Sequence, residues 1–210
     1  MTPVEPTPSE PFRHAPVMVR EVVALVGEVP AGLFVDATVG GGGHAAAILA
    51  ARPDLRLLGI DRDPAAVAAA RETLQPFGAR AQVVHGGFWQ VAEIVNEALT
   101  GPARGAPGPG EGSEGIVGIL FDLGVSSPQL DRPVRGFSYW ADEAPLDMRM
   151  DSAAELTAEA VVNDYAESDL AAIIARNGEE RYARRIAAEI VTARPLRTTG
   201  DAARARGCRA

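Results

Sequence analysis

Short runs of branched apolar residues alternate, along the first half of the chain, with segments whose apolar residues recur at helical spacing. Four runs have the composition of buried parallel strands, namely Leu33 to Ala37, Leu57 to Ile60, Gln82 to Val84 and Ile116 to Phe121. The helical segments are Val17 to Val26, His44 to Ala51, Pro64 to Leu74 and Val91 to Leu99. This alternation predicts an α/β fold with a parallel sheet and a ligand crevice at the carboxyl ends of its strands.

After Asp151 the pattern changes to helical spacing alone. Three helices are predicted there in succession, over Ala154 to Asn163, Ser168 to Arg176 and Glu179 to Ala193. A separate helical unit therefore follows the α/β unit. Between the third crossover helix and the fourth strand, residues 101 to 115 are rich in Gly and Pro and predict a flexible surface insertion.

Composition excludes several classes of protein. With 47% hydrophobic and 23% charged residues the chain is typical of a globular protein, and no apolar run approaches the roughly 18 residues that span a bilayer. The first fifteen residues lack an apolar leader segment, which favours the cytoplasm. A single cysteine, Cys208, and three widely spaced histidines indicate neither a disulfide scaffold nor a metal site.

The charge is unevenly distributed along the chain. Residues 1 to 175 hold 11 arginines and 24 acidic residues, whereas residues 176 to 210 hold 9 arginines and 4 acidic residues. The overall net charge of −8 argues against binding nucleic acid by bulk attraction. Arg181, Arg184 and Arg185 on the third predicted helix nevertheless allow a mixed or basic surface there.

The first predicted strand runs into four glycines and a helix, over Val35 to His44. Glycines let a ligand approach the backbone, and a helix start offers free N–H groups; the alternative is a flexible turn. Gly40, Gly42 and Ala45 also satisfy a dinucleotide fingerprint, which leaves NAD open. Asp36, placed before the glycines, favours the cationic S-adenosylmethionine, because a carboxylate sits badly beside a pyrophosphate.

Polar and aromatic residues also follow the other strands. Asp61 ends the second strand, where it can accept hydrogen bonds from the ribose hydroxyls of either cofactor. Phe88 and Trp89 follow the third strand, and either lie against an adenine ring or begin a helix and pack inward. Asp122 follows the fourth strand, at the substrate edge of the crevice, where a catalytic residue is expected. The alternative is that it caps a helix or forms a turn.

An irregular stretch follows, with Arg135 to Tyr139 and Pro145 to Asp151. It combines aromatic residues, two arginines and two carboxylates. Irregular stretches beside a crevice often carry function. The alternative is an ion-pair network that ties the loop down, with Met148 and Met150 buried.

Several specific motifs occur together in this chain: Phe12-Arg13-His14-Ala15-Pro16-Val17-Met18, the glycine loop, Gly59-Ile60-Asp61-Arg62-Asp63-Pro64, Asp122-Leu123-Gly124-Val125-Ser126-Ser127-Pro128-Gln129-Leu130-Asp131, Arg135-Gly136-Phe137-Ser138, Pro145 to Asp151 and Gly178-Glu179-Glu180-Arg181. With these motifs the chain resembles the bacterial 16S ribosomal RNA cytosine-N4 methyltransferases of the RsmH (MraW) family. The resemblance implies a Rossmann-like S-adenosylmethionine-dependent methyltransferase sheet with an inserted helical domain.

The resemblance also implies a set of site residues. The cofactor S-adenosylmethionine would be held by Gly42, Gly43, His44, Asp61, Phe88, Asp122 and Gln129. The substrate would be 16S ribosomal RNA in the small ribosomal subunit. A cytosine amino nitrogen is a poor nucleophile, so an acceptor for its protons would help, and Asp122 is the catalytic candidate.

The resemblance divides the chain into a disordered N-terminus over 1–11, a methyltransferase domain over 12–134, an incomplete helical RNA-recognition insertion over 135–201 and an aberrant tail over 202–210. Asn177 replaces a Tyr of the family pattern, and the family continues beyond the point where this chain stops. A truncated sheet of four strands leaves the fourth with an unpaired edge or an uncovered apolar face. A non-catalytic remnant that binds cofactor or RNA is therefore one alternative function, and a nicotinamide-dependent oxidoreductase is another.

Overall fold

The computed structural model of the protein describes residues 16–100, 115–138 and 140–205. These residues form two compact units, which divide after Gly124, and each unit has its own hydrophobic core. The division falls earlier than the boundary expected at residue 134, because the segment from Val125 onward groups with the helices. The expected N-terminal segment 1–11, the insertion except for Gly115, and tail residues 206–210 lie outside the described residues.

The first unit alternates helices and strands as the sequence predicts. Its helices are α1 (Val19–Val26), α2 (Gly43–Ala51), α3 (Pro64–Leu74) and α4 (Val91–Thr100), with short 3-10 helices over Gln75–Arg80 and Phe88–Gln90. Its strands are β1 (Gly32–Asp36), β2 (Leu55–Asp61), β3 (Ala81–His85) and β4 (Ile116–Leu120). Helix α3 begins where the sequence predicts, because Pro64 occupies its first turn and Asp63 Oδ1 accepts from Ala65 N at 3.0 Å.

Within the described part of the chain, the four strands form one parallel sheet in the order β3-β2-β1-β4. This arrangement confirms the predicted parallel α/β fold. Asp36 lies in register with Gly59 of β2 and with Leu120 of β4, and Asp61 lies in register with His85 of β3. Because β1 has hydrogen-bonded neighbours on both sides, all five of its residues are buried.

Apolar side chains cover both faces of this sheet. Phe34 and Leu57 belong to a core that includes residues of α1, α2 and α3. Val35 and Leu58, one position further along each strand, belong to a second core with Val95 of α4. Neighbouring strand residues point to opposite faces, so a run of consecutive apolar residues serves both layers.

Strand β4 lies at one edge of the sheet and is the least covered of the four. Ile116 and Ile119 each expose 43% of their surface, and Phe121, directly after the strand, exposes 46%. A four-stranded sheet predicts exposed apolar surface of this kind.

The second unit consists of helices and irregular segments. Its helices are α5 (Ser127–Asp131), α6 (Ala158–Asp164), α7 (Glu167–Gly178), α8 (Ala183–Thr192) and α9 (Thr199–Ala205), with a 3-10 helix over Pro133–Arg135. An isolated antiparallel bridge joins Pro145 to Thr198. No helix among the described residues of either unit is both long enough and apolar enough to cross a membrane.

Two of these helices begin later than the sequence pattern predicts. Helix α6 begins after Thr157, whose hydroxyl accepts from Ala160 N at 3.1 Å and caps the helix. Helix α8 begins at Ala183 instead of at Glu179, because Glu179 adopts a left-handed conformation with φ of 50° and ends α7.

The core of the second unit contains Leu146, Leu170 and Ile190 among its buried residues. Residues 202–205, which the sequence assigns to an aberrant tail, continue helix α9 instead, and Ala205 is buried in this core. The packed structure therefore extends beyond the expected boundary at residue 201.

Candidate functional site

Three carboxylates lie at or just beyond the carboxyl ends of neighbouring strands in the first unit. Asp36 ends β1, Asp61 ends β2, and Asp122 follows β4 by two positions. Because the strands are parallel and adjacent, these ends share one edge of the sheet. This is the edge at which the sequence predicts a ligand crevice.

The glycine loop between β1 and α2 adopts backbone conformations that favour glycine. Gly40 and Gly42 have φ of 53° and 84°. Among the described residues, a Cβ on Gly40 would find only Thr38 O within 4 Å, at 3.9 Å, so this part of the chain leaves open space beside the Gly40 backbone. A Cβ on Gly42 would meet Ala70 Cα at 3.3 Å, which shows that Gly42 also serves the packing of α3.

The first turn of α2 begins directly behind this loop. Its N-cap, Gly42, provides no side-chain hydrogen bond, so the first N–H groups of the helix have no side-chain cap. A Cβ on Gly43, the first helical residue, would lie 2.7 Å from Pro16 Cγ. An uncapped helix start beside open space attracts a ligand group of negative or partly negative charge.

Asp61 connects the glycine loop to the turn after β2. Its Oδ2 accepts from Gly40 N and its Oδ1 accepts from Asp63 N, each at 2.9 Å. Burial raises the pKa of the Asp61 carboxyl, and the two backbone hydrogen bonds partly oppose that change. Each carboxylate oxygen retains a further lone pair that can accept a hydrogen bond from a ligand.

Asp36 is almost completely buried, with 1% of its surface exposed. Burial raises the pKa of this carboxyl to about 7, while a hydrogen bond from Thr38 N and the nearby His44 oppose the shift. The Thr38 N to Asp36 Oδ1 distance is 3.2 Å. A cationic ligand group at this edge would favour the ionised form of Asp36.

His44, in the first turn of α2, is buried and lies between two oxygen atoms. Its Nε2 is 2.8 Å from Val17 O, and its Nδ1 is 3.9 Å from Asp122 Oδ2. A carbonyl oxygen only accepts hydrogen bonds, so Nε2 carries a proton. In the neutral ring Nδ1 is therefore the unprotonated nitrogen, and it faces the Asp122 carboxylate.

Asp122 presents its carboxylate at the open side of the edge, with about half of the side chain exposed. Its backbone N–H donates to Thr38 Oγ1 at 2.7 Å. The alternative role as a helix cap is wrong, because the N-cap of the next helix, α5, is Ser126.

Phe88 and Trp89 begin a short 3-10 helix, as one interpretation predicts, but they do not pack inward. Phe88 is 40% exposed and Trp89 is 63% exposed. Phe88 contacts Trp89 and Phe121 edge to face, with ring centroids 5.7 and 6.3 Å apart. The Arg62 guanidinium lies 5.5 Å from the Trp89 ring centroid. Phe88 therefore has a partly exposed ring at the end of β3.

Gln129 lies in the second unit, on α5, and is buried. Its Oε1 accepts from Ser126 N at 3.0 Å and completes a capping box. The sequence interpretation assigns Gln129 to the cofactor site and misses this capping role. The six other predicted site residues, Gly42, Gly43, His44, Asp61, Phe88 and Asp122, all belong to the first unit.

Comparison with known proteins gives the same assignment as the resemblance. Residues 11–205 match the MraW methylase family. The chain belongs to this family. It is 47% identical over 204 residues to the ribosomal RNA small subunit methyltransferase H of Mycolicibacterium paratuberculosis, which covers 92% of this chain and 50% of that protein.

Other relatives in the family give similar values. The protein of the same name from Thermobifida fusca is 46% identical over 193 residues, which covers 89% of this chain and 54% of that protein. The one from Synechococcus elongatus is 47% identical over 188 residues, with 90% and 57% covered. The chain thus spans about half the length of the curated relatives it matches. The family match reaches Ala205, as does helix α9.

The irregular stretch of this MraW-family chain contains the ion-pair network offered as the structural alternative. Arg149 donates from Nε and Nη2 to the two oxygens of Asp147 at 2.9 and 2.7 Å. Arg135 Nη2 donates to the carbonyl oxygens of Arg149 and Met150 at 2.9 and 2.8 Å. The expectation that Met148 is buried is wrong, since 47% of its surface is exposed.

Thr38 is the residue at the site that the sequence interpretation misses. It belongs to the first unit and contacts both Asp36 and Asp122. Its partner Asp122 is 84 positions away in the sequence, so no local pattern indicates the contact. A hydroxyl residue between a strand-end Asp and a glycine loop is the signal that was available.

Proposed function

We infer that this protein takes part in methylation of the N4 amino group of a cytidine in 16S ribosomal RNA, with S-adenosylmethionine as the methyl donor. The observation that carries this proposal is the uncapped start of α2 behind an open glycine loop, flanked by the carboxylates of Asp36, Asp61 and Asp122. The names of the relatives, ribosomal RNA small subunit methyltransferases, support the substrate class.

The residues at this edge fit the chemistry of the cofactor. S-adenosylmethionine supplies, when bound, a methyl group activated on a positively charged sulfonium. The open space at Gly40 admits a ligand near the backbone, and Gly43 and His44 at the start of α2 offer N–H groups, whereas Gly42 N donates to Val39 O at 2.8 Å. Carboxylates nearby favour a ligand that carries positive charge.

In this proposal, different residues bind different parts of the cofactor. Asp61 accepts from the ribose hydroxyls with its remaining lone pairs, and Phe88 offers its exposed ring to the adenine. The resemblance also assigns Gln129 to the cofactor, in addition to its capping role in α5. A dinucleotide fits less well, because its pyrophosphate would carry negative charge into a cluster of carboxylates.

Asp122 is the residue proposed to act on the RNA base. The amino lone pair of cytosine is delocalised into the ring, so its nucleophilicity rises when an acceptor binds an amino proton. The exposed carboxylate of Asp122 can accept that proton as a general base. Holding the amino nitrogen at about 3 to 3.5 Å from the methyl group then provides most of the rate enhancement.

The second unit supplies the groups proposed to hold RNA. Helix α8 carries Arg184 and Arg185, and Arg181, just before it, lies 4.6 Å from the ring centroid of the exposed Tyr182. Arginine binds phosphate oxygens through paired N–H groups, and an aromatic ring stacks on unpaired bases. The small ribosomal subunit is the proposed partner, and the cytoplasm, where it is assembled, is the proposed location. The target cytidine of the ribosomal RNA must be unstacked to reach the Asp122 carboxylate.

Calorimetric titration of the 210-residue protein tests the cofactor assignment. We expect S-adenosylmethionine and S-adenosylhomocysteine to bind and NADH to give no heat. Binding of NADH in place of the other two would contradict the proposal. Incubation of the cofactor-bound protein with small ribosomal subunits then separates an enzyme from a remnant, because a remnant binds cofactor without transferring methyl groups.

A further inference from the structure

The hydrogen-bond ladder between β1 and β4 ends in an unusual way at the candidate site. The last strand partners are Asp36 and Leu120, and Ala37 N then donates to Leu120 O at 2.9 Å. In a continuing parallel ladder the next bond would join Asp122 N to a backbone carbonyl of the β1 chain. Asp122 N donates instead to the side-chain oxygen of Thr38 at 2.7 Å.

Backbone hydrogen bonds of Thr38 and of the next residue hold Thr38 in place. Its backbone N–H donates to Asp36 Oδ1 at 3.2 Å, which makes an Asx-type turn at the end of β1. The next residue, Val39, donates from its N–H to Ile60 O of β2 at 2.9 Å. The backbone of Thr38 is therefore held by the two central strands, which are the most buried part of the sheet.

Among the described residues, few other contacts support Asp122. It follows the edge strand, half of its side chain is exposed, and it precedes Leu123, which is 67% exposed. The 3.9 Å distance between His44 Nδ1 and Asp122 Oδ2 is too long for a hydrogen bond. The Thr38 contact is thus the short bond that ties the backbone of Asp122 to the rigid centre of the sheet.

We propose that Thr38 is a positioning residue that holds the Asp122 carboxylate in place for the cofactor and the base. The proposal rests on the proposed function for the role of Asp122. In this role Thr38 neither contacts the substrate nor takes part in proton transfer. The Thr38 hydroxyl ties the Asp122 backbone to the centre of the sheet. The position of that backbone in turn sets where the Asp122 carboxylate lies.

Three variants of the full 210-residue chain test this role. Thr38→Val replaces the hydroxyl by a methyl group of similar size, and Thr38→Ser keeps the hydroxyl. Thr100→Val is the matched control, because the Thr100 hydroxyl also makes a 2.7 Å hydrogen bond, to Asn96 O, on the exposed side of α4. Each variant is made with and without Asp122→Asn, which keeps the backbone N–H and removes the carboxylate charge.

The first readout is S-adenosylmethionine affinity by calorimetry. We expect Thr38→Val to weaken binding by about three- to tenfold, the value of one hydrogen bond, and Thr38→Ser and Thr100→Val to change it by less than about twofold. In the Asp122→Asn background Thr38→Val should have no further effect, because its effect acts through the carboxylate. Equal losses in both backgrounds would overturn the proposal and indicate a general structural role.

The second readout is hydrogen exchange of the Asp122 amide by NMR, which needs neither cofactor nor turnover. We expect protection in the wild type, in Thr38→Ser and in Thr100→Val, and its loss in Thr38→Val. Unchanged protection in Thr38→Val would overturn the proposal even if cofactor binds. If the wild type binds no S-adenosylmethionine, the proposed function fails, whereas this exchange measurement still decides whether Thr38 holds Asp122.

Discussion

His44 Nε2 lies 2.8 Å from the carbonyl oxygen of Val17, and this contact decides which ring nitrogen faces the site. Val17 lies just before α1, 27 positions from His44 in the sequence. Because Nε2–H donates to the carbonyl oxygen, Nδ1 carries no proton in the neutral ring and faces the Asp122 carboxylate. Nε2 thus makes a structural hydrogen bond, and Nδ1 faces the candidate site.

Two substitutions of His44 should separate the role of Nε2 in stability from the role of Nδ1 in methyl transfer. A Gln amide nitrogen can reach the position of Nε2, so His44→Gln keeps the bond to Val17 and loses the group that faces Asp122. We expect His44→Gln to fold with near wild-type stability and to lose methyl transfer. His44→Asn should lose the Val17 bond and about 1 kcal/mol of unfolding free energy, measured by urea denaturation. The same stability for both variants would contradict this division.

The buried Asp36 carboxyl should make stability depend on pH. In the unfolded chain its pKa has the ordinary aspartate value of 3.8, and burial raises the folded-state pKa to about 7. Between these values only the unfolded chain ionises, so Asp36 lowers the unfolding free energy as pH rises from about 4 to 7. The loss is complete above about pH 7, where it amounts to at most about 4 kcal/mol.

Asp36→Asn removes this effect and keeps an oxygen that accepts from Thr38 N. We expect the variant to equal the wild type in stability near pH 4 and to exceed it above pH 7, in urea denaturation at each pH. Asp54→Asn is the control. Arg52 holds the pKa of the Asp54 carboxyl at about 2, so its contribution stays constant across that window. A difference between Asp36→Asn and the wild type that does not change with pH would show that Asp36 is ionised throughout.

Asp61→Ala should abolish cofactor binding. The ribose hydroxyls would lose a charged acceptor worth about 1.5 to 3 kcal/mol, and Gly40 N would lose its partner on the glycine loop. Calorimetric titration with S-adenosylmethionine measures the loss, and Glu97→Ala on the exposed side of α4 serves as the control. Unchanged affinity in Asp61→Ala would remove Asp61 from the site.

Gly136→Ala should destabilise the second unit strongly. Gly136 has φ of 73°, and a Cβ there would lie 2.3 Å from Pro145 O. Gly78 has φ of 56° and no described atom within 4 Å of its Cβ position, so Gly78→Ala adds backbone strain of more than about 1 kcal/mol without a steric clash. We expect Gly136→Ala to lower the melting temperature clearly more than Gly78→Ala. Equal effects would mean that the segment around Pro145 is free to move away.

Much of the first unit could be predicted from the sequence, because buried parallel strands appear as short runs of branched apolar residues, such as the run from Leu33 to Ala37. The positions of Asp36, Asp61 and Asp122 at or just after strand ends were predictable for the same reason. The start of α8 was not, because it depends on the left-handed conformation of Glu179, which an apolar pattern does not encode. The bond from Asp122 to Thr38 was not either, because it exists only once β1 and β4 pair.

Transfer of a labelled methyl group from S-adenosylmethionine to small ribosomal subunits is the decisive measurement of the proposed function. The RNA is digested to nucleosides after incubation with wild-type protein, Asp122→Ala or Glu97→Ala. We expect labelled N4-methylcytidine with the wild type and Glu97→Ala, and a rate lower by about 100-fold or more with Asp122→Ala. Label in another nucleoside, or equal rates for Asp122→Ala and Glu97→Ala, would contradict it.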